Sequence, residues 1–167
     1  MRAASIITTR QRRMTQVHQV AIVNPLAAGA GATLCTIFIH ALALGATVNF
    51  FRRERRLGLA GMRYLIDLTI VVLVMSFAFV AHLIEIGVWA WLFMICGEFQ
   101  EFGAAYYHSA VNYTTLGYGD VIMSASWKLL GPLEAADGSL MFGVSTAMIF
   151  AVILRLLETR FADLRTK

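Results

Sequence analysis

The chain has 167 residues, of which 59% are hydrophobic and only 14% are charged. Soluble domains carry about 25% charged residues, so this composition excludes an ordinary soluble domain and indicates a membrane protein. The net charge of +4 does not indicate nucleic-acid binding, because the arginines flank apolar runs.

The first predicted elements are a polar arm at residues 1–25 and an apolar run at 26–51. The arm carries four arginines and no acidic residue, so we expect it to lie on the membrane surface or to be disordered. About 20 apolar residues cross the hydrocarbon core, so the run at 26–51 predicts a first transmembrane helix. Within this run, His40 is expected to be a packing residue.

A basic loop is predicted at residues 52–63, which hold five arginines and one acidic residue. The positive-inside rule places this loop in the cytoplasm. Residues 98–137 hold five acidic residues and one lysine, which places them outside. The arginines form a block without the regular spacing of a voltage sensor, so intrinsic voltage sensing is not predicted.

The second apolar run, residues 64–97, predicts an outer helix that is longer than the membrane requires. His82 and Glu85 lie three residues apart and therefore share one face of this helix. Exposing a carboxylate to lipid costs about 2.5–3.5 kcal/mol, so we expect this face to turn towards protein.

Residues 101–114 predict a helix too short to cross a membrane, and an extended stretch follows at residues 115–120. Gly117 and Gly119 alternate with larger residues and can adopt positive φ without a Cβ penalty. The backbone carbonyls can then turn to one side. Four copies around an axis would stack rings of oxygen atoms that replace the water shell of a cation.

The sequence Thr-Leu-Gly-Tyr-Gly-Asp at 115–120 resembles the selectivity filter of potassium channels of the pore-loop superfamily, and residues 115–120 are therefore named the filter segment. The usual filter has valine where this chain has Leu116, a change that keeps the carbonyl group. The resemblance implies an all-α membrane protein with three transmembrane helices per chain, assembled as a tetramer of identical subunits. It also implies a re-entrant pore helix and an extended filter between the second and third spans.

The resemblance implies that the transported ion is K⁺, and no other cofactor is expected. The resemblance assigns K⁺ coordination to Thr115, Leu116, Gly117 and Tyr118, with Gly119 completing the filter. Asp120 is expected at the outer mouth. Four further acids are expected either to add to the negative field of Asp120 or to be solvated without effect on conduction: Glu98, Glu101, Glu134 and Asp137.

Residues that support the filter segment are also implied. Potassium channels of this kind often carry a carboxylate four residues before the filter threonine, where this chain has Val111. Glu85, helped by His82, or Asn112 is expected to take that role, unless His82 and Glu85 only join two helices. Three tyrosines are expected either to brace Tyr118 or to pack in the core: Tyr106, Tyr107 and Tyr113.

The last predicted element is an inner helix at residues 132–157, which begins at Pro132 because proline suits a first helical turn. A short cytoplasmic tail at 158–167 follows. Gly143 is expected to be either a hinge for opening the pore or a close-packing position. Ser145 and Thr146 are expected to line the cavity.

Three functions remain open at this point. The first is a tetrameric K⁺ channel in the cell membrane, plasma or inner, with no soluble regulatory domain in the chain. The second is a weakly selective cation channel, since Leu116 and Val111 depart from the usual pattern. The third is a non-conducting membrane adaptor that assembles through small-residue helix faces.

An enzyme is not predicted. The four histidines lie far apart in sequence and the two cysteines lie in different apolar runs, so neither a metal-ligand cluster nor a disulfide framework is expected. Phosphate-binding loops and nucleophile motifs are also missing from the sequence.

Overall fold

The computed structural model describes residues 21–56 and 64–165. Within these ranges the chain forms four helices and no strand: α1 (Val23–Arg56), α2 (Tyr64–Ile95), α3 (Phe102–Tyr113) and α4 (Leu130–Arg165). Helices α1, α2 and α4 are each long and apolar enough to cross a membrane. The described part of the chain is therefore all-helical with three possible spans, as expected for a multi-pass membrane protein.

The long helices extend past the predicted apolar runs. Pro25 lies in the first turn of α1, where its missing N–H is not needed. The same helix continues to Arg56, so the first half of the predicted basic loop is helical. Helix α4 begins at Leu130, two residues before Pro132, and runs through most of the predicted tail. Arginine favours the helical state, which explains both extensions.

Parts of three predicted elements lie outside the described residues. These are residues 1–20 of the arm, residues 57–63 of the basic loop and residues 166–167 of the tail.

Helix α1 packs along both α2 and α4. Gly29 lies close to Leu133 and His40 contacts Ser145, so α1 and α4 run in the same direction. Against α2 the order is reversed, because His40 contacts Glu85 whereas Phe50 contacts Phe77. The first helix is therefore an integral part of the bundle.

Two apolar cores lie at different heights in the bundle. One core surrounds Trp89, Phe93 and Tyr113, and the other surrounds Ile70 and Val152. Along α2 and α4, a layer of buried polar residues lies between these two cores. This layer stands beside the end of α3, where the filter segment begins.

Candidate functional site

The filter segment starts directly at the end of α3 and is held by the last turn of that helix. The amide of Thr115 donates a hydrogen bond to the carbonyl oxygen of Asn112 at 2.8 Å. The carbonyl oxygen of Val111 accepts from the amides of both Leu116 and Gly117, at 3.0 and 3.2 Å. Carbonyls at a helix C-terminus lack partners within the helix, so they are available to fix this segment.

The backbone of the filter segment alternates in handedness. The φ angles are +59° at Thr115, +59° at Gly117 and +72° at Gly119, and they are not positive at the two residues between. The sequence predicts positive φ at the two glycines, but not at Thr115. A β-branched residue in this conformation costs about 1–2 kcal/mol, and such strain is typical of functional sites.

The side chains of the filter segment face away from the protomer. Leu116 is 55% exposed and Tyr118 is 67% exposed. Both are large side chains that would ordinarily contribute to a core. Within one chain, this segment is held by its backbone and by its ends.

The far end of the filter segment is tied back to α3. The Tyr107 hydroxyl donates a hydrogen bond of 2.8 Å to Asp120 Oδ2. This bond raises the pKa of Tyr107 above its usual value, because losing the proton would place two negative charges together. Both ends of the filter segment are thus anchored on the same short helix.

A groove of about 300 Å³ lies behind the filter segment. Its lining includes Asn112, whose amide lies 3.0 Å from His108 Nε2. His108 is buried against the rings of Phe93 and Phe99, and this burial lowers its pKa. Asn112 therefore lies beside the filter segment, paired with the buried His108.

The loop between the filter segment and α4 is also tied down by a carboxylate. Glu98 accepts hydrogen bonds from the backbone amide and the hydroxyl of Ser124, at 2.7 and 2.6 Å. Glu101 is exposed at the start of α3. Of the predicted outer acids, Glu98 has a structural partner and Glu101 faces outwards.

A buried polar cluster forms where all four helices meet, and we define it as His40, His82, Glu85, Tyr113 and Ser145. Glu85 is completely buried and accepts a hydrogen bond from the Tyr113 hydroxyl. Its two carboxylate oxygens also lie 2.8 Å from His40 Nδ1 and 3.1 Å from His82 Nδ1. The inward orientation of Glu85 and its contact with the short helix agree with the sequence analysis, whereas its pairing with His40 was not foreseen.

The same cluster corrects two sequence expectations. The structure brings together His40, His82 and Glu85, although no metal-ligand cluster is expected from sequence spacing. Tyr113 does not brace Tyr118, because its hydroxyl is bound to Glu85 inside the bundle. Tyr106 donates instead to the Leu83 carbonyl on α2.

Two further carboxylates are buried, which corrects their predicted place at the outer mouth. Glu134 is fully buried and accepts a hydrogen bond from the Ser109 hydroxyl. Asp137 is 2% exposed and accepts from Thr36 at 2.8 Å and from Trp89 at 2.9 Å. Both acids lie on the face of α4 that packs against the other helices, and therefore do not reach solvent.

Comparison with known families decides what kind of protein carries this site. A family model described as "Ion channel" matches residues 69–155, just over half of the chain. The chain belongs to this family of pore-loop ion channels. No curated protein and no solved structure matches it.

The matched part of the channel covers most of α2, all of α3, the filter segment and the greater part of α4. Helix α1 lies outside the match. It nevertheless contributes His40 and Thr36 to buried hydrogen bonds with the matched helices. The polar cluster therefore combines the family's region with a residue from outside it.

Three residues of α4 that are predicted to form the cavity or the gate differ in their exposure. Gly143 and Thr146 are exposed on the protomer, and nothing lies within 4 Å of a Cβ built at Gly143. Within one chain, Gly143 is thus not a close-packing position. Ser145 is buried, with its hydroxyl 3.1 Å from both His40 Nε2 and His82 Nε2. The expectation that Ser145 lines a cavity is corrected, because it faces α1 and α2.

Sequence reasoning missed two other residues in the channel. Ser109 lies one turn before Tyr113 on α3 and links Ile86 on α2 to Glu134 on α4. Gly138 lies so close to α3 that a Cβ there would overlap the Tyr113 carbonyl oxygen. A usable signal was the helical spacing of polar residues in apolar runs, which marks buried faces.

Proposed function

We propose that this channel is a homotetramer in the cell membrane, plasma or inner, that conducts K⁺ passively through the filter segment. The observation that carries the proposal is the alternating backbone of residues 115–119. Alternating handedness lets successive carbonyls turn to one side. Four such segments around an axis would surround a dehydrated K⁺ with rings of carbonyl oxygen.

Exposure of the filter segment supports assembly from several copies. A single chain supplies one strand of oxygen ligands, and closure around an ion needs rotational symmetry. Leu116, Tyr118 and Ile122 are 55%, 67% and 68% exposed in one protomer. Exposed apolar patches mark interaction surfaces, and neighbouring subunits would cover this one.

Helix α3 fits the role of a re-entrant pore helix. Its 12 residues measure about 18 Å, which is too short for a hydrocarbon core of about 30 Å. The filter segment begins at its C-terminus, where the helix dipole carries a partial negative charge. That charge would favour a cation near the inner end of the filter.

The test is ion flux from liposomes that contain the purified full chain, with K⁺ compared with Na⁺. The key variant is Gly119→Ala, and Gly97→Ala is its matched control. Both glycines have positive φ, +72° and +76°, and nothing lies within 4 Å of a Cβ at either. Each substitution adds similar strain of about 1–2 kcal/mol, but only Gly119 lies in the filter segment.

We expect K⁺ flux well above Na⁺ flux, a loss of about tenfold or more in Gly119→Ala, and little change in Gly97→Ala. Equal K⁺ and Na⁺ permeability in bi-ionic reversal potentials would favour the weakly selective cation channel. Absence of flux from folded wild-type protein would favour the non-conducting adaptor. Cross-linking to a species other than a tetramer would overturn the proposed assembly.

A further inference from the structure

The polar cluster gathers metal-ligating atoms in one buried place. His40 comes from α1, and His82 and Glu85 come from α2. One ligand atom from each lies within 4.8 Å of the other two. All three side chains are less than 10% exposed, so water does not compete freely for them.

Counting hydrogen atoms shows that this cluster favours a cation. Six contacts link the cluster: three to the Glu85 carboxylate, two to the Ser145 hydroxyl, and one of 3.2 Å between His82 Nδ1 and the Tyr113 hydroxyl. Two neutral histidines, one tyrosine and one serine supply only four hydrogen atoms. One hydrogen on His82 Nδ1 can serve the contacts to both Glu85 and Tyr113, so four hydrogens cover at most five of the six contacts. With Glu85 ionised, one contact would therefore face two lone pairs across a buried gap, which is costly.

We propose that His40, His82 and Glu85 bind a divalent transition-metal ion of the zinc type within each protomer. Two histidines and one glutamate are a donor set that zinc takes with three protein ligands. Zinc bonds of about 2.0–2.2 Å in a tetrahedral site separate the donor atoms by roughly 3.3–3.5 Å. The present separations are 2.8 Å from His40 Nδ1 to Glu85 Oε1 and 3.1 Å from His82 Nδ1 to Glu85 Oε2, and the ligand atoms all lie within 4.8 Å of one another, so binding requires a rearrangement of side chains.

The surrounding residues complete the second shell of such a site. Both histidine Nδ1 atoms face Glu85, and both Nε2 atoms lie 3.1 Å from Ser145 Oγ. With a metal on Nδ1, each ring keeps its hydrogen on Nε2 and donates it to Ser145, which fixes tautomer and orientation. Tyr113 continues to donate to Glu85. The contacts to Glu85 and Ser145 are then satisfied without an extra proton.

Charge also favours a divalent ion over a single proton. Asp137 accepts hydrogen bonds from Thr36 and Trp89. Thr36 lies one helical turn before His40, and Trp89 lies one helical turn after Glu85. The second oxygen of Asp137 has no hydrogen-bond partner among the residues that the structure describes. A divalent cation balances the two carboxylates of Glu85 and Asp137, whereas one proton balances one of them.

The proposed site lies next to the filter segment. Tyr113 bonds Glu85 and is the last residue of α3, two positions before Thr115. Metal occupancy would therefore fix the end of the helix that holds the filter segment. This consequence for conduction rests on the proposed function, whereas metal binding itself does not.

Metal binding is tested on the purified full chain in detergent micelles after treatment with a chelator. Co²⁺ is the probe, because it replaces zinc and gives visible absorption that reports tetrahedral coordination. We expect one Co²⁺ per chain, displaced by Zn²⁺, with binding lost in His82→Gln and Glu85→Gln. The matched control is His108→Gln, since His108 is also buried but lies outside the cluster.

Ser145→Ala keeps all three ligands and should weaken binding about 10- to 100-fold, as expected for a second-shell partner. Size-exclusion profiles identify variants that fail to fold. Co²⁺ binding by the wild-type chain tests the proposal even when such variants are left out. A wild-type chain that binds no stoichiometric Co²⁺, or binding that survives both ligand substitutions, would overturn the proposal. Stoichiometric binding by a chain that carries no K⁺ flux would leave this site standing and remove the proposed function.

Discussion

The filter segment begins two residues after Tyr113 of the polar cluster, yet the two regions are stabilised in opposite ways. The filter segment has exposed side chains, strained backbone at Thr115, and anchors only at its start and at Asp120. The polar cluster is buried, and each of its side chains is bound to another residue of the same chain. One region is incomplete in a single protomer and the other is complete.

This difference separates what one chain can do from what an assembly must do. A buried polar network fixes the relative positions of the helices only if its members are satisfied. Each member of the cluster has its partners within one protomer, and the proposed ion would satisfy the remaining contact. The cluster residue Tyr113 positions the start of the filter segment. A row of backbone carbonyls, by contrast, gains its function when other copies face it. Substitutions in the two regions should therefore have different readouts.

The largest effect on protomer stability is expected for Glu85→Ala. This change leaves both histidines and Tyr113 without their common acceptor, and removing the charged member of a buried group costs about 3–5 kcal/mol. The free energy of unfolding in mixed detergent micelles, measured with a chelator present, checks this value.

The control is Glu158→Ala on α4. Arg155 and Glu158 form a pair with the same three-residue spacing as His82 and Glu85, but their side chains are 64% and 63% exposed. Exposed pairs contribute little, so we expect a change below about 0.5 kcal/mol. Equal losses in the two variants would show that burial does not distinguish these pairs.

An intermediate effect is expected for Gly138→Ala, which acts where the two regions meet. The new Cβ would overlap the Tyr113 carbonyl oxygen and lie 3.0 Å from the carbonyl carbon. Overpacking of this kind costs about 1–3 kcal/mol, and the displaced α3 would disturb the filter segment. Both the unfolding free energy and the K⁺ flux should fall.

Gly143→Ala provides the comparison, because nothing lies within 4 Å of a Cβ at that position. Removing glycine from a helix interior stabilises it by about 0.5–1 kcal/mol. Reduced flux with improved stability in Gly143→Ala would support the predicted hinge. A stable, conducting Gly138→Ala variant would contradict the close approach of α3 and α4.

The smallest effect on stability is expected for Tyr107→Phe, which removes the bond to Asp120 at the exposed end of the filter segment. Protomer stability should fall only slightly, while K⁺ flux falls by less than in Gly119→Ala. The folded state keeps the Tyr107 proton at a pH where an unfolded tyrosine, with a pKa of about 10, has lost it.

The contribution of this bond is therefore complete below about pH 10 and is lost as the pH rises through the raised pKa of Tyr107. Titration of tyrosine absorbance in wild type and Tyr107→Phe checks the direction of the shift. A tyrosine that ionises at or below about pH 10 in wild type and is missing from the titration of Tyr107→Phe would contradict the assignment.

The amino-acid sequence was sufficient for the class of protein and for its central motif. The apolar runs in the regions of α1, α2 and α4 predict helices long enough to cross a membrane, since the length is set by the bilayer. The filter sequence predicts an ion channel, and the family match confirms that class. Gly117 and Gly119 have the positive φ that their position suggests.

The sequence was not sufficient to place the polar residues of the membrane helices. Ser145, Glu134 and Asp137 are expected at a cavity or at the outer mouth, but all three are buried in the bundle. In an apolar helix the hydrophobic pattern does not mark which side faces protein, because lipid-facing positions are apolar as well. Polar spacing gives the face of a helix, but not its partner.

The sequence by itself determined three spans, a short helix and a glycine-alternating segment, because chain chemistry and bilayer thickness set these features locally. Only the tertiary structure decided that His40 meets Glu85 across 45 positions in sequence, and that Gly138 lies against the end of α3. Contacts of this kind depend on the rotation and register of whole helices. Those quantities are fixed when the four helices pack, because a buried carboxylate must find its partners on neighbouring elements.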